Sequence, residues 1–321
     1  MTAGREPVLE VLEPGLLAIV QDLGRPGLGA MGVGRAGAAD EGSFRLANRL
    51  VGNAELAAAI EFVLGGLAIR FRRTATVALT GAPADVRAGE RAAAFNAPFS
   101  VRAGEVLRVA RPARGLRGYL AVRGGLGVTP VLGSRSWDSL AGIGPPPLRA
   151  GDLLPLADDH DGEPFVDVAP VRAPLPPLSG AATLRVLPGP RADRFAASAL
   201  DRLFVSAYEV TADSDRVGLR LAGPPLPAAP GVAAELPPEG MVTGALQVPP
   251  SGRPVLFLAD HPVTGGYPVV GVVLTADLPL AAQLRPGDEV RFRPTAPAAG
   301  VGGGGPVAAA SGARWRRPLR G

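Results

Sequence analysis

Glycine and proline interrupt this sequence so often that long helices cannot account for most of it. The chain has 44 glycines and 35 prolines among 321 residues, about a quarter of the total. Inside a helix, glycine costs roughly 1 kcal/mol and proline about 3 kcal/mol relative to alanine. Short apolar runs stand between these residues, at 77–80, 106–110, 119–122, 184–187, 255–258, 269–274 and 290–292. The pattern predicts a mainly β protein with a few helices, built of barrels or sandwiches.

Three segments have a helical pattern. The clearest runs from about Glu41 to Val51, with Asp40 as the N-cap, Gly52 as the stop, and Phe44 and Leu50 on the inward face. Two further helices are predicted to start at Asn53 and at Ala192. A recurrent turn of Arg, Ala or Pro, Gly and an acid is also predicted, in four copies that begin at 87, 102, 149 and 285.

Missing residue types exclude several kinds of chemistry. The chain has no cysteine and no lysine, and its two histidines, His160 and His261, are far apart. A cysteine nucleophile, a P-loop lysine and a biotinylated lysine are therefore impossible, and we expect no metal site. The net charge of +4 comes from scattered arginines, which argues against nucleic acid as a partner. Without a long apolar run, the chain is expected to be cytoplasmic and not bound to a membrane.

Four regions are predicted along the chain. Residues 1–160 are expected to form an N-terminal lobe, and residues 161–182 a Pro-rich linker. Residues 183–294 are expected to form a C-terminal lobe. The Gly, Ala and Arg-rich tail, 295–321, is predicted to be disordered.

Two loops of the second lobe, 244–252 and 260–268, carry the densest group of unusual residues. Gln247 and Tyr267 could recognise a planar amide or ureido group, and Asp260 with His261 could move a proton or hold a polar group. We predict that the two loops lie side by side. The predicted catalytic residues of these loops are Gln247, Asp260 and Tyr267, and the predicted substrate-binding residues are Ser251, Thr264, Gly265 and Gly266. The structural alternative is a pair of tight turns without a ligand.

The first lobe has a second cluster of polar residues. Arg25 or Arg35 could bind a carboxylate or a phosphate through its guanidinium fork, and the alternative for each is a plain surface arginine. A third run, 133–138, could hold an anion with its hydroxyl and guanidinium donors. The predicted site residues here are Asp22, Arg25, Ser134 and Arg135 for binding and Asp40 for catalysis. We predict that Asp22, Arg25 or Asp40 shares one cleft with Gln247 and Tyr267.

Six motifs occur in order along the chain. They are VQDLGRPG, ANRLVGN, GSRS, SDRVGLRL, GALQVPPSG and TGGYP, at 20–27, 47–53, 133–136, 214–221, 244–252 and 264–268. Together they resemble the family of the C subunit of 5-oxoprolinase, also known as allophanate hydrolase subunit 2, KipA and the carboxyltransferase domain of urea amidolyase. The likeness covers roughly residues 8 to 293.

The resemblance implies two cyclophilin-like β-barrel lobes and a heteromeric complex. The expected partners are a KipI-like protein and, in a three-part enzyme, a LamB/YcsF-like protein. The implied activity is ATP-dependent hydrolysis of 5-oxo-L-proline, a small amide, to L-glutamate, only in the complex. One alternative is a part of a biotin-dependent carboxyltransferase that acts on urea or a similar amide. Another is a regulatory partner of a kinase-inhibitor protein, without enzymatic activity.

Overall fold

The fold is mainly β, as predicted, and this computed structural model describes residues 7–158, 163–164, 175–232 and 235–295. Strands β1 to β11 are Pro7–Pro14, Leu17–Gln21, Ala59–Val63, Leu67–Phe71, Ala75–Gly81, Val86–Ala88, Arg91–Ala93, Pro98–Val101, Val106–Val109, Arg117–Val122 and Leu153–Pro155. Strands β12 to β20 are Ala182–Pro188, Ala207–Val210, Gly218–Ala222, Glu239–Gly240, Ala245–Gln247, Val255–Phe257, Thr264–Gly265, Val269–Val273 and Glu289–Pro294. Helices α1 to α3 are Glu41–Leu50, Ala197–Val205 and Leu278–Ala282. Each of the seven predicted apolar runs overlaps a strand.

The strands of the first half form two sheets around one core. Six strands follow the order β11-β1-β4-β9-β6-β7, and five follow the order β2-β3-β10-β5-β8. Apolar side chains of both sheets meet between them, including Val11 and Ile69 from one sheet and Ile60 and Leu120 from the other. Strand β10 is buried along its whole length because α1 covers its other side. In this arrangement Glu61 of β3 and Arg117 of β10 are buried.

Strands of the second half close into a barrel, with the order β12-β19-β16-β17-β14-β13-β20. The closing pair, β12 with β20, is parallel. Leu184, Leu246 and Phe292 lie in its core. Strands β15 and β18 form a separate ribbon of two strands.

Helix α1 forms as its sequence predicts. The Asp40 carboxylate accepts a hydrogen bond from the Ser43 amide at 3.0 Å, and Gly52, just after the helix, has φ of 71°. Phe44 and Leu50 are buried against the second sheet. The predicted helix at Asn53 is wrong. The side-chain Nδ2 of Asn53 donates to Asn48 Oδ1 and to the Val122 carbonyl, and these hydrogen bonds fix a turn before β3.

The predicted helix at Ala192 is interrupted. A 3-10 turn at Ala192–Arg194 precedes α2, and Phe195 between them forms an isolated β-bridge with Ala228. The four predicted Arg-x-Gly-acid turns are confirmed by positive φ at Gly89, Gly104, Gly151 and Gly287.

Several predicted features lie wholly or partly beyond the described residues. His160 is outside them, as are most of the predicted linker and all but Thr295 of the predicted tail. Among the residues that are described, no helix is long and apolar enough to cross a membrane.

Candidate functional site

The donors predicted to hold an anion in the first half bind the carboxylate of Asp22. Its Oδ1 accepts hydrogen bonds from the hydroxyls of Ser134 and Ser136, both at 2.6 Å, and from the Gly24 amide at 2.7 Å. Its Oδ2 accepts one from the Arg135 amide at 2.6 Å. Four donors satisfy a carboxylate well. In the structure, this cluster ties the 134–136 segment to the loop after β2.

Arg25 belongs to the same cluster and is only 2% exposed. Its Nη2 donates to the Ser136 carbonyl, and its Nε and Nη1 have no hydrogen-bond partner among the described residues. The Arg25 amide donates to the Arg35 carbonyl at 2.8 Å. The side chain of Arg35, by contrast, is 49% exposed. Of the two arginines predicted to bind a carboxylate, Arg35 is therefore the one that a ligand can reach from solvent.

Asp260 takes part in a buried ion-pair network between the two halves of the chain. Arg216 donates to both of its carboxylate oxygens, at 2.8 and 2.9 Å, and also to Glu61 and to the Gly37 carbonyl. The Ser139 amide and hydroxyl donate to Asp260 Oδ2 at 2.9 and 2.6 Å. Burial alone would lower the pKa of Arg216, but the carboxylates of Glu61 and Asp260 raise it, so Arg216 stays charged. The network holds strand β3 of the first half against the barrel.

Glu61 is the centre of this network and is 1% exposed. Its Oε2 accepts from the Tyr119 hydroxyl at 2.8 Å and from the Ala39 amide at 3.0 Å. Arg117 Nε lies 3.5 Å from its Oε1. Burial, with Glu61 and Asp40 nearby, raises the pKa of Tyr119 well above its usual range, so this hydroxyl stays a donor. Glu61 thereby fixes the backbone immediately before α1.

Asp40 caps α1 and also reaches the second half. Its Oδ2 accepts from the Ser43 hydroxyl at 2.7 Å and from Gln283 Nε2 at 2.8 Å. Gln283, which follows α3, also accepts from the amides of Leu116 and Arg117. Burial raises the pKa of Asp40, although the hydrogen bonds from Gln283 and Ser43 oppose that rise. Its proposed catalytic role stays a prediction, and its contacts give it a role in joining the halves.

The loops 244–252 and 260–268 lie side by side, as predicted. Gln247 Nε2 donates to the Tyr267 carbonyl at 3.2 Å, and strands β15 and β18 pair Glu239 with Gly265. A Cβ on Gly265 would lie 2.5 Å from Gln247 Nε2, so glycine permits this contact. Ser251 lies in a separate exposed turn. Thr264 is exposed, and Gly266 and Tyr267 are partly exposed.

Among the residues that the structure describes, the hydrogen bonds of the predicted site residues form three clusters, around Asp22, around the Glu61 network, and around Gln247. The 134–141 segment joins the first two clusters, since Ser136 binds Asp22 and Ser139 binds Asp260. Gln247 is held by its own loop instead. That Asp22, Arg25 or Asp40 shares one cleft with Gln247 and Tyr267 stays a prediction.

A cavity of about 400 Å³ lies where the two halves meet. One wall comes from Arg35, Ala36, Ala38, Ala39, Glu41, Gly42 and Arg45, and the other from Thr243, Leu258, Ala259, Thr275, Leu278 and Pro279. The network holds both walls, since Asp40 stands between Ala39 and Glu41, and Asp260 follows Ala259. A larger cavity of about 590 Å³ borders Asp158, where the described chain is interrupted. Described residues line the whole junction cavity.

Three charged side chains, Arg35, Glu41 and Arg45, line one wall of the junction cavity. Glu41 lies between two arginines, with Arg35 Nη2 3.0 Å from its Oε1 and Arg45 Nη2 3.3 Å from its Oε2. All three are partly exposed, and Arg45 also binds Glu55 at 2.8 Å. Two cations and one anion give the lining of the cavity a net positive charge. The opposite wall combines apolar side chains with the hydroxyls of Thr243 and Thr275. Such a site suits a small anionic ligand.

Four residues of this junction, Glu61, Arg117, Arg216 and Gln283, are not among the predicted site residues, although Arg216 stands in the SDRVGLRL motif at 214–221. One local signal existed, because Glu61 is a single acid within the apolar strand β3, and a buried acid requires a partner. Its partner Arg216 is 155 residues away in sequence, so no short motif could show the pair.

Comparisons with known proteins agree with this fold. Residues 31–294 match the family model described as carboxyltransferase domain, subdomain A and B. The C subunit of the 5-oxoprolinase of Escherichia coli (strain K12) is 35% identical over 288 residues, which cover 89% of this chain and 90% of that protein.

Two solved structures extend the comparison. The protein TTHA0988 is 40% identical with a TM-score of 0.81, over 91% of this chain and 57% of that one. The K. lactis urea amidolyase is 31% identical with a TM-score of 0.83, over 92% of this chain and 19% of that one. This chain thus spans just over half of the first structure and about a fifth of the second.

Proposed function

The chain belongs to the carboxyltransferase domain family, subdomains A and B, and from that premise we propose that it is one subunit of an ATP-dependent 5-oxoprolinase. This enzyme opens 5-oxo-L-proline to L-glutamate. The similarity to the C subunit of the Escherichia coli 5-oxoprolinase supports the proposal, because it extends over nearly the whole of that relative. The observation that carries it is the junction cavity with Arg35 exposed inside it.

The proposed substrate fits the chemistry of this cavity. 5-Oxo-L-proline is a small five-membered lactam that bears one carboxylate. Arg35 would bind the carboxylate, the apolar side chains of Leu258 and Leu278 would contact the ring, and Thr243 would meet the lactam amide. We propose that Asp40 and Asp260 act by positioning the cavity walls, since both carboxylates are already bound within the protein.

Ring opening needs activation that the partners must help to supply. In the proposed reaction, the terminal phosphoryl group of ATP passes to the lactam carbonyl oxygen and ADP leaves. Water adds to the activated carbon, and the ring C–N bond breaks as the nitrogen takes a proton. A second water then hydrolyses the resulting acyl phosphate to L-glutamate and phosphate. The chain has no lysine and therefore cannot provide a P-loop lysine. We assign ATP binding to the complex with the KipI-like and LamB/YcsF-like partners, not to this chain alone.

The proposed partner face consists of the exposed side chains of Met31, Leu140 and Val242. Their segments all approach the 260–263 loop, because the Ser139 hydroxyl donates to Asp260, the Met241 amide donates to the Val263 carbonyl, and a Cβ on Gly29 would lie 3.7 Å from Val263. Val242 precedes Thr243, which lines the cavity. Covering these side chains would exclude water from the cavity and so strengthen its polar contacts. TTHA0988 extends well beyond the region that matches this chain, which is consistent with an adjoining partner.

A biotin-dependent carboxyltransferase is the second candidate, favoured by the structural likeness to the K. lactis urea amidolyase. The charge of the cavity does not separate the two candidates. Urea and the ureido ring of biotin are neutral, but N-carboxybiotin carries the transferred group as a carboxylate, which Arg35 could also bind. The similarity over 90% of the Escherichia coli C subunit, against 19% of the K. lactis urea amidolyase, favours 5-oxoproline.

The proposal is tested by co-expressing the chain with its KipI-like and LamB/YcsF-like partners. The purified complex should release glutamate from 5-oxo-L-proline only when ATP is present. Carboxylation of urea by a biotin carrier, without glutamate release, would establish the second candidate instead. A stable complex without either activity would support the regulatory alternative.

A further inference from the structure

Glu41 lies where a bound carboxylate would compete for the same guanidinium. We propose that Glu41 is a specificity-determining residue, whose carboxylate is displaced from Arg35 by the carboxylate of the ligand. The inference rests on the proposed function for the identity of that ligand. It assigns Glu41 the role of an internal competitor for Arg35, which lowers the affinity for a monocarboxylate and leaves the affinity for a neutral amide unchanged.

The geometry shows that Arg35 can be released. The pair between Glu41 and Arg35 measures 3.0 Å, and the side chains are 40% and 49% exposed. Water screens an ion pair of this exposure, so the pair contributes little to stability. A ligand carboxylate can therefore replace Glu41 on Arg35 at a small cost.

The surroundings of Arg45 give Glu41 a second place to bind. Arg45 lies 3.3 Å from Glu41 and 2.8 Å from Glu55, and Arg49 also contacts Glu55, at 2.7 Å. The hydrogen bond with Glu55 is the main cause that raises the pKa of Arg45. When it leaves Arg35, Glu41 keeps its partner Arg45, and no carboxylate is left without a cation. Arg35 then offers its fork to the ligand.

This exchange makes binding depend on the charge of the ligand. An acid forms an ion pair with Arg35 and displaces Glu41, whereas a neutral analogue forms no ion pair and leaves Glu41 bound to Arg35. Removing the Glu41 charge would therefore favour the acid and leave the neutral analogue unaffected.

The test compares 5-oxo-L-proline with its neutral carboxamide, using calorimetry on the complete complex. Glu41→Gln and Glu41→Ala should each tighten binding of the acid by roughly three- to tenfold, because the competitor for Arg35 is gone. Binding of the carboxamide should change less than about twofold in both. Glu10→Gln is the matched control, since Glu10 also lies between two arginines, Arg70 and Arg72, but lines no described cavity.

The outcomes separate this inference from the proposed function. Unchanged or weaker acid binding in both Glu41 variants, with melting temperatures like that of the wild type, would overturn the inference even if glutamate is released. Tighter acid binding in a complex that releases no glutamate would support the exchange and reject the 5-oxoprolinase proposal. A similar gain in Glu10→Gln would also overturn the inference.

Discussion

Among the glutamates that lie between two arginines, Glu61 and Glu41 have opposite surroundings. Glu61, between Arg117 and Arg216, is 1% exposed and fixes the two halves together. Glu41, between Arg35 and Arg45, is 40% exposed and lines a cavity. One glutamate and two arginines hold the two halves together in the buried cluster. In the exposed cluster, the same combination of charges forms the proposed exchangeable site.

Access to water explains this difference. Removing one partner of a buried ion pair leaves an uncompensated charge, at a cost of about 3–5 kcal/mol. A half-exposed pair contributes about 0–1 kcal/mol, because water replaces the lost partner. Burial therefore decides which cluster can release a carboxylate during binding.

The largest expected effect is on the buried cluster. Arg216→Met should lower the free energy of unfolding by about 3–5 kcal/mol, because Glu61 and Asp260 lose their shared cation. Urea denaturation measures this change. Arg35→Met is the matched control and should change stability by less than about 1 kcal/mol. Equal effects of the two substitutions would remove the distinction between the clusters.

Coupling energies sharpen the same comparison. In a double-mutant cycle on the free energy of unfolding, the coupling energy between Arg216 and Asp260 should be about 2 kcal/mol or more. The coupling energy between Arg35 and Glu41 should be less than about 0.5 kcal/mol. In roughly 1 M NaCl the second value should approach zero while the first persists, because salt screens exposed charges. A coupling for Arg35 and Glu41 that resists salt would contradict its proposed release.

The smallest expected effect is a pair of opposite pH dependences. Burial raises the pKa of Asp40, so its contribution is present below its unfolded pKa and is lost as pH rises through the folded value. Arg49 and Arg45 lower the pKa of Glu55, so its contribution is lost as pH falls through the folded value. Urea denaturation across the acidic range should show that Asp40→Asn removes the first slope and Glu55→Gln the second. Slopes of the same sign would contradict these environments.

Local sequence predicted the elements of the fold but not the junction. Asp40, Ser43 and Gly52 lie within or next to α1, so the local sequence was enough to predict the helix and its N-cap. The turn at Asn53 escaped because its side chain bonds to Val122, 69 residues away. The candidate site escaped for the same reason. Its cavity depends on bringing 35–45 against 243–279, and its arrangement depends on Glu61 and Arg216 meeting across the two halves.

Arg35 in the junction cavity is proposed to bind the substrate carboxylate. The most direct test of this role measures kcat/KM for 5-oxo-L-proline in the reconstituted complex and compares Arg35→Gln with Arg70→Gln. Arg70 is similarly exposed and also pairs with a glutamate, Glu10, at 3.2 Å. Arg35→Gln should lower kcat/KM by about ten- to hundredfold, since a hydrogen bond between charged groups is lost, and Arg70→Gln by less than about twofold. A value for Arg35→Gln within about twofold of the wild type, in an intact complex, would contradict the account.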